Sequence, residues 1–142
     1  MTSLTLEQAN IIVAAAFDKA RAEDMKPLGV AVVDAGGHLL AFQRQDGASI
    51  GRFQIASGKA CGALFLGISS RRIADMAAER PAFLNAAAAG APGGLIPAAG
   101  GVIIGDADGR VIGAVGVSGD LSDNDEACAL AGIAAAGLRV QP

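Results

Sequence analysis

The chain has 142 residues, of which 52% are hydrophobic and only 18% charged, and its formal net charge is −3. That length buries one full core without disulfides. With Arg71-Arg72 as its only adjacent basic pair, the chain lacks the basic footprint that nucleic-acid binding requires. The longest apolar stretch, residues 55–68, is too short to cross a bilayer and contains Lys59, so no membrane segment is expected.

The first predicted element is a helix that starts at Thr5, where Gln8 three residues on completes a capping box. Ala9, Ile12, Val13, Ala16 and Ala20 recur at helical spacing, and Lys26-Pro27 closes the segment. Two strands follow, over 28–33 and 38–44, joined by the turn Asp34-Ala35-Gly36-Gly37. A long helix is expected over 49–66 with Gly67 as its stop. The glycines inside it (Gly51, Gly58, Gly62) cost roughly 1 kcal/mol each relative to alanine, which close packing against the sheet or another subunit would offset.

Ser69 or Ser70 caps a shorter helix to about Glu79, and Pro81 opens a further turn or helix to Ala89. The run Gly90-Ala91-Pro92-Gly93-Gly94 reads as a loop, with a short edge strand expected over 95–97. A second hairpin, 102–105 and 110–117 about Asp106-Ala107-Asp108-Gly109, precedes a final helix. Ser122 is the expected cap of that helix, with Asp125 at the capping-box position. Two hairpins separated by helices argue for an antiparallel sheet, since parallel neighbours need a crossover between each pair. No repeat or linker interrupts residues 1–142, so a single domain is expected.

The two cysteines, Cys61 and Cys128, lie far apart in alanine-rich segments and form no metal-binding spacing. Free, buried thiols and a reduced, cytoplasmic setting are the expectation. The first 23 residues lack the pattern of a secretion signal, because Glu7, Asp18 and Glu23 interrupt them.

Several motifs carry less than they suggest. Ser57-Gly58-Lys59 has no phosphate-loop spacing around it, and the run Gly113 to Gly119 lacks the dinucleotide fingerprint. Asp120, Asp123, Asp125 and Glu126 gather where a helix begins, which the helix dipole favours without any cation. Asp106 and Asp108 lack the glycine offset and distal glutamate of a calcium loop and read as turn residues. No GxSxG or electropositive cysteine supports a hydrolase.

His38 is the only histidine, placed directly after the first turn. A histidine at a strand end is commonly just a polar residue. It is also the one side chain here whose unperturbed charge change lies in the physiological range, and a ready metal ligand.

Taken together, Val32-Val33-Asp34-Ala35-Gly36-Gly37-His38-Leu39-Leu40, Arg44-Gln45-Asp46-Gly47-Ala48, Ile55 with Lys59-Ala60, Gly93-Gly94-Leu95-Ile96-Pro97, and Gly113 to Gly119 with Asp125-Glu126 resemble the GlcG/HbpS-like family. These are small haem-degrading or haem-binding domains, also found at the C-terminus of PduO-type corrinoid adenosyltransferases. The resemblance spans nearly the whole chain. It implies an α+β, profilin-like fold: an antiparallel sheet of about five strands with helices on both faces. It also implies a homo-oligomer of two or more copies.

If haem binding carries over, His38 is the expected axial ligand, Phe42, Phe53 and Ile55 line an apolar slot, and Arg44, Arg52 and Lys59 meet the propionates. An alternative is an enzyme or binder for a small organic acid or carbonyl compound. There Gly93, Gly94, Ser118 and Gly119 offer backbone N–H groups, Arg44 or Lys59 binds carboxylate, and His38, Lys59 or Asp120 are the catalytic candidates. A non-catalytic accessory or sensory protein is the third.

Overall fold

The computed structural model describes residues 3–141, leaving Met1, Thr2 and Pro142 outside the described residues. Helix α1 (Leu6–Ala22) begins at the expected capping box, with Thr5 Oγ1 accepting from the Gln8 amide and Gln8 Oε1 from the Thr5 amide. Strands β1 (Gly29–Asp34) and β2 (Leu39–Arg44) form the first hairpin. Helices α2 (Arg52–Leu66), α3 (Ser70–Glu79) and α4 (Pro81–Gly90) follow, with Gly67 ending α2 in the left-handed conformation expected of a stop. The second hairpin is β3 (Gly101–Gly105) and β4 (Val111–Ser118), and α5 (Ser122–Ala135) and β5 (Arg139–Val140) complete the chain.

The sheet order is β2-β1-β4-β3-β5 with every pairing antiparallel. This is the α+β arrangement the hairpins predicted. The fifth strand is not where it was expected. Residues 95–97 form no strand; Leu95 packs with Ile73 and Leu84 under α3 and α4 instead. Its place is taken by the C-terminal Arg139–Val140, which pairs with β3.

Alternation along the strands gives the two faces different characters. Val30, Val32, Val102, Ile104, Val115 and Val117 point to one face and form the main core with α1 and α5. The opposite face carries Ala31, Ala114, Gly101 and Gly116, and α2 lies across it. Those small residues set the distance. A Cβ on Gly116 would strike the Ala56 carbonyl, and one on Gly101 the Lys59 carbonyl, so the helix backbone rests almost directly on the sheet. On its outer side, Gly58 and Gly62 receive Ile96 and Leu95 of the following loop. The helix glycines therefore pack against the loop, and not against the sheet as expected: the close approach to the sheet is made by Gly101 and Gly116 of the strands, and Gly51, the N-cap, packs against nothing among the described residues.

Candidate functional site

Helix periodicity divides the residues of α2 between two flanks. Arg52, Ala56, Lys59 and Ala63 share one side; Phe53, Ser57 and Cys61, spaced four apart, share the other. The two sides meet different partners, and the predicted site residues separate accordingly.

The first flank is closed. Lys59 is 2% exposed, and its ammonium donates to Val117 O at 2.9 Å and to Asp125 Oδ2 at 3.1 Å. Asp125, itself buried, accepts the Asp120 amide at 2.9 Å through Oδ1, and the Gly119 amide also points to its carboxylate. Burial pushes the Lys59 amine down and the Asp125 carboxyl up from their ordinary ranges, against the mutual attraction of the pair. The pair passes the end of β4 and ties α2 to α5 across the sheet.

Several expectations fail here for one reason: the polar groups are already satisfied. The expected cap is replaced, since Leu121 is the N-cap of α5 and Asp125 turns back to receive N–H groups preceding the helix. Lys59 is buried in its ion pair and cannot reach a propionate or act from the surface. The Asp120 N–H serves the chain's own carboxylate, which takes the place an anionic ligand would need. Ser118 Oγ is buried and accepts from Arg52 at 2.8 Å. Asp120 binds the Asn124 amide at 2.6 Å and the Lys26 backbone N–H at 3.0 Å, and these bonds hold its carboxyl below the usual range. Asp123 and Glu126 pair with Arg71 of α3. No group of three or more potential metal ligands occurs among the described residues.

The second flank is open. Between β2, the groove side of α2 and the loop after α4 lies an apolar groove of about 490 Å³, lined by Val33, Gly37, Leu39, Phe53, Gln54, Ser57, Cys61, Gly93, Gly94 and Ile96. Phe42 meets Phe53 edge to face, 5.0 Å between ring centres. Ile55 does not line this groove, because it sits off the Phe53-Ser57-Cys61 row. Gly93 and Gly94 belong here, remote from Ser118 and Gly119, and the Gly94 N–H is used within its own turn by Ala91 O. The four residues predicted to present N–H groups therefore form no common site. Cys61 is buried on the groove floor; its thiol contacts Gly37 O at 3.5 Å, and burial pushes the thiol up, away from a reactive thiolate. Both cysteines are free.

At one end of this groove, the β1–β2 turn carries His38. Its side chain is 83% exposed and lines a smaller depression with Cys61, Leu64, Phe65, Pro92 and Gly93, which shares Gly37, Cys61 and Gly93 with the groove. Asp34 Oδ1 accepts the amides of Gly36 and His38, both at 2.9 Å, and stands 3.3 Å from His38 Nδ1. The His38 amide is the chief reason the Asp34 carboxyl lies below its ordinary range. Arg52 and Arg44 lie toward the opposite end: Arg44 pairs in register with Gly29, on which the Arg52 stem packs. Arg44 also lines a depression on the α1 side with Phe17, Arg21 and Met25.

Of the residues singled out from the sequence, Phe53, Gly93 and Gly94 line the apolar groove, Phe42 touches it through Phe53 and His38 stands on the adjoining turn, while Leu39, Cys61 and Ile96 line it without having been singled out. Register with Val33 places Leu39 on the α2 side, whereas His38 precedes β2 and borders two depressions, one with Cys61, Leu64 and Phe65 and the other with Leu4, Leu40 and Arg110.

The chain's architecture matches solved structures along almost its whole length. It superposes on HbpS with a TM-score of 0.81 at 32% identity, covering 94% of this chain and 90% of that one. For the Klebsiella pneumoniae protein ORFY the TM-score is 0.85 at 28% identity, with 96% and 93% covered. A PduOC:heme complex gives a TM-score of 0.87 at 24% identity, covering 99% and 100%. No curated protein sequence matches. The sequence model described as "Haem degrading protein HbpS-like" matches residues 4–134, which contain both hairpins and the groove between them, and by that match the chain belongs to the HbpS-like haem-degrading family.

Proposed function

We propose that this protein binds haem in the apolar groove between β2 and α2, with His38 as axial ligand. The observation that carries the reading is the placement of the chain's only imidazole, exposed on a hydrogen-bonded turn whose Gly37 lines the apolar groove. Haem asks for an apolar slot, an axial donor and cations for its propionates. Val33, Leu39, Phe53 and Ile96 meet the first need and His38 the second. The nearest cations lie by Phe42 outside the groove lining, and each has another place: Arg52 donates to Ser118 and Arg44 lines the α1-side depression, so either would have to swing to meet a propionate.

Membership of a haem-degrading family supports the same ligand, and the fold is one that holds haem in the PduOC complex. Bound haem would supply a redox-active iron. The chain's own part is to shield one side of the macrocycle, present a nitrogen ligand and anchor carboxylates. Free thiols at Cys61 and Cys128 suit a reducing, cytoplasmic setting. Exposed apolar side chains such as Ile50 at 88% suit a homo-oligomer.

The test is a haemin titration followed by absorption, run beside His38→Ala. The wild type is expected to give a saturable, sharpened Soret band that the variant loses or weakens at least about tenfold, for loss of an axial bond. A broad nonsaturating band, or identical curves for both proteins, would sink the reading.

A further inference from the structure

The turn that carries His38 is more constrained than a connection between two strands requires. Asp34 N–H donates to His38 O at 2.9 Å and Gly37 N–H to Asp34 O at 3.0 Å, while Asp34 Oδ1 collects the amides of Gly36 and His38. Five residues are thereby fixed about one carboxylate oxygen, and the same oxygen stands 3.3 Å from His38 Nδ1. Gly36 gives a second constraint. The ring lies over it so closely that a Cβ there would sit 2.9 Å from His38 Cε1 and 3.0 Å from Nδ1. The imidazole is thus held from two sides although it is largely in water.

At 3.3 Å, Asp34 Oδ1 and His38 Nδ1 stand at ion-pair distance without an aligned hydrogen bond, so it is the charge of the carboxylate that favours a proton on the nearer ring nitrogen. A neutral imidazole has a single N–H, and a proton on Nδ1 leaves the lone pair on Nε2. An unconstrained histidine in water prefers the opposite tautomer. We propose that Asp34 is a positioning residue that holds the proton of neutral His38 on Nδ1 and so keeps Nε2 free as the nitrogen available to iron. The functional meaning of this tautomer rests on the haem reading above; the tautomer itself does not. Carboxylates that orient a ligating histidine in this way also raise its basicity, and losing them commonly weakens binding about 10- to 100-fold.

Because the chain has one histidine, ¹⁵N-histidine labelling of the full-length apoprotein gives only two ring-nitrogen signals. At pH about 9, where an ordinary imidazole is neutral, the wild type is expected to show a protonated Nδ1 and a bare Nε2. Asp34→Asn keeps an oxygen for the turn amides but loses the charge. It is expected to shift the proton toward Nε2 and to bind haemin about 10- to 100-fold more weakly. Gly36→Ala retains the carboxylate and displaces the ring, so it is expected to weaken the Nδ1–H preference as well; it decides the matter if Asp34→Asn does not fold.

A wild-type ring protonated on Nε2 overturns the proposal, as does an unchanged tautomer in a folded Asp34→Asn or, where that variant does not fold, in Gly36→Ala. A wild type with Nδ1–H that gives no specific Soret band upholds Asp34's control of the ring and overturns the haem assignment. Haemin binding through His38 with the proton on Nε2 overturns only the role of Asp34.

Discussion

The two flanks of α2 look alike in composition, each mixing small, polar and reactive residues, yet one is finished and the other is not. On the Lys59 flank the ammonium, the Asp125 carboxylate, the Ser118 hydroxyl and the Arg52 guanidinium all bond to one another or to backbone. On the Phe53–Cys61 flank, apolar side chains face solvent across a groove, and the nearby imidazole is 83% exposed with Asp34 Oδ1 at 3.3 Å from Nδ1. A concentration of charge is therefore a poor guide to a site. What marks one is capacity left over: apolar area without a partner and a donor atom without a bond.

Breaking the closed flank gives the largest expected effect. Asp125→Ala strands a buried ammonium and orphans the Asp120 amide, so unfolding free energy should fall by about 3–5 kcal/mol in a urea titration. The double variant Lys59→Met with Asp125→Asn removes the charges together and keeps an acceptor for the amide, and should be less destabilised than Asp125→Ala. A single-variant loss below about 1 kcal/mol would mean that the pair is not the clamp between α2 and α5 described above. Haemin binding, measured where the variant is still folded, should be unchanged, because the groove is on the other flank.

A smaller effect separates burial from charge beneath the same flank. Cys128 is fully buried on α5, with its sulfur 3.4 Å from that of Met25, and burial together with the Asp125 charge pushes its thiol up to about 11 from an ordinary 9.0. A raised folded value means that the unfolded chain releases the proton first. Its contribution is thus fully present below pH about 9 and lost as pH rises toward about 11. Lys59, lowered in the fold, pulls the other way over part of that range. Comparing wild type with Cys128→Ala under reducing conditions cancels the lysine. The stability difference between them should shrink by about 1–2 kcal/mol between those limits. A constant difference would show that the thiol senses no burial penalty.

The fold was legible where its causes are local. The Thr5–Gln8 box, the Gly67 stop and both turns depend on residues within four positions of one another, and each was found where expected. What failed was non-local. Arg139–Val140 becomes a strand only because the β3 edge is there to receive it, and no two-residue segment announces that. The Lys59–Asp125 pair joins positions 66 apart. Its trace was present in the sequence all the same: one lysine among Ala56, Gly58, Ala60, Gly62 and Ala63 needs a counter-charge if that face is buried. Phe53 and His38 were found by residue type, whereas the groove that joins their surroundings required the loop from Gly93 to Ile96 to fold back over the helix.

The sharpest test of the open flank is its smallest change in stability. Leu39 is 50% exposed and stands opposite Val33 in register, on the α2 side of the edge strand. Leu39→Glu removes little buried surface, so stability should stay within about 0.5 kcal/mol of wild type. It does place a charge on the groove wall and removes about half a leucine's worth of contact, enough to weaken haemin binding about tenfold. Gln43, opposite Val30 in register, belongs to the α1 side of the same strand and lines the depression with Phe17 and Arg21. Gln43→Glu adds the same charge to the other face and should leave haemin binding as it was. If Gln43→Glu weakens binding and Leu39→Glu does not, the macrocycle belongs against α1, beside Arg44 and Arg21, and the roles of the two faces of β2 are reversed.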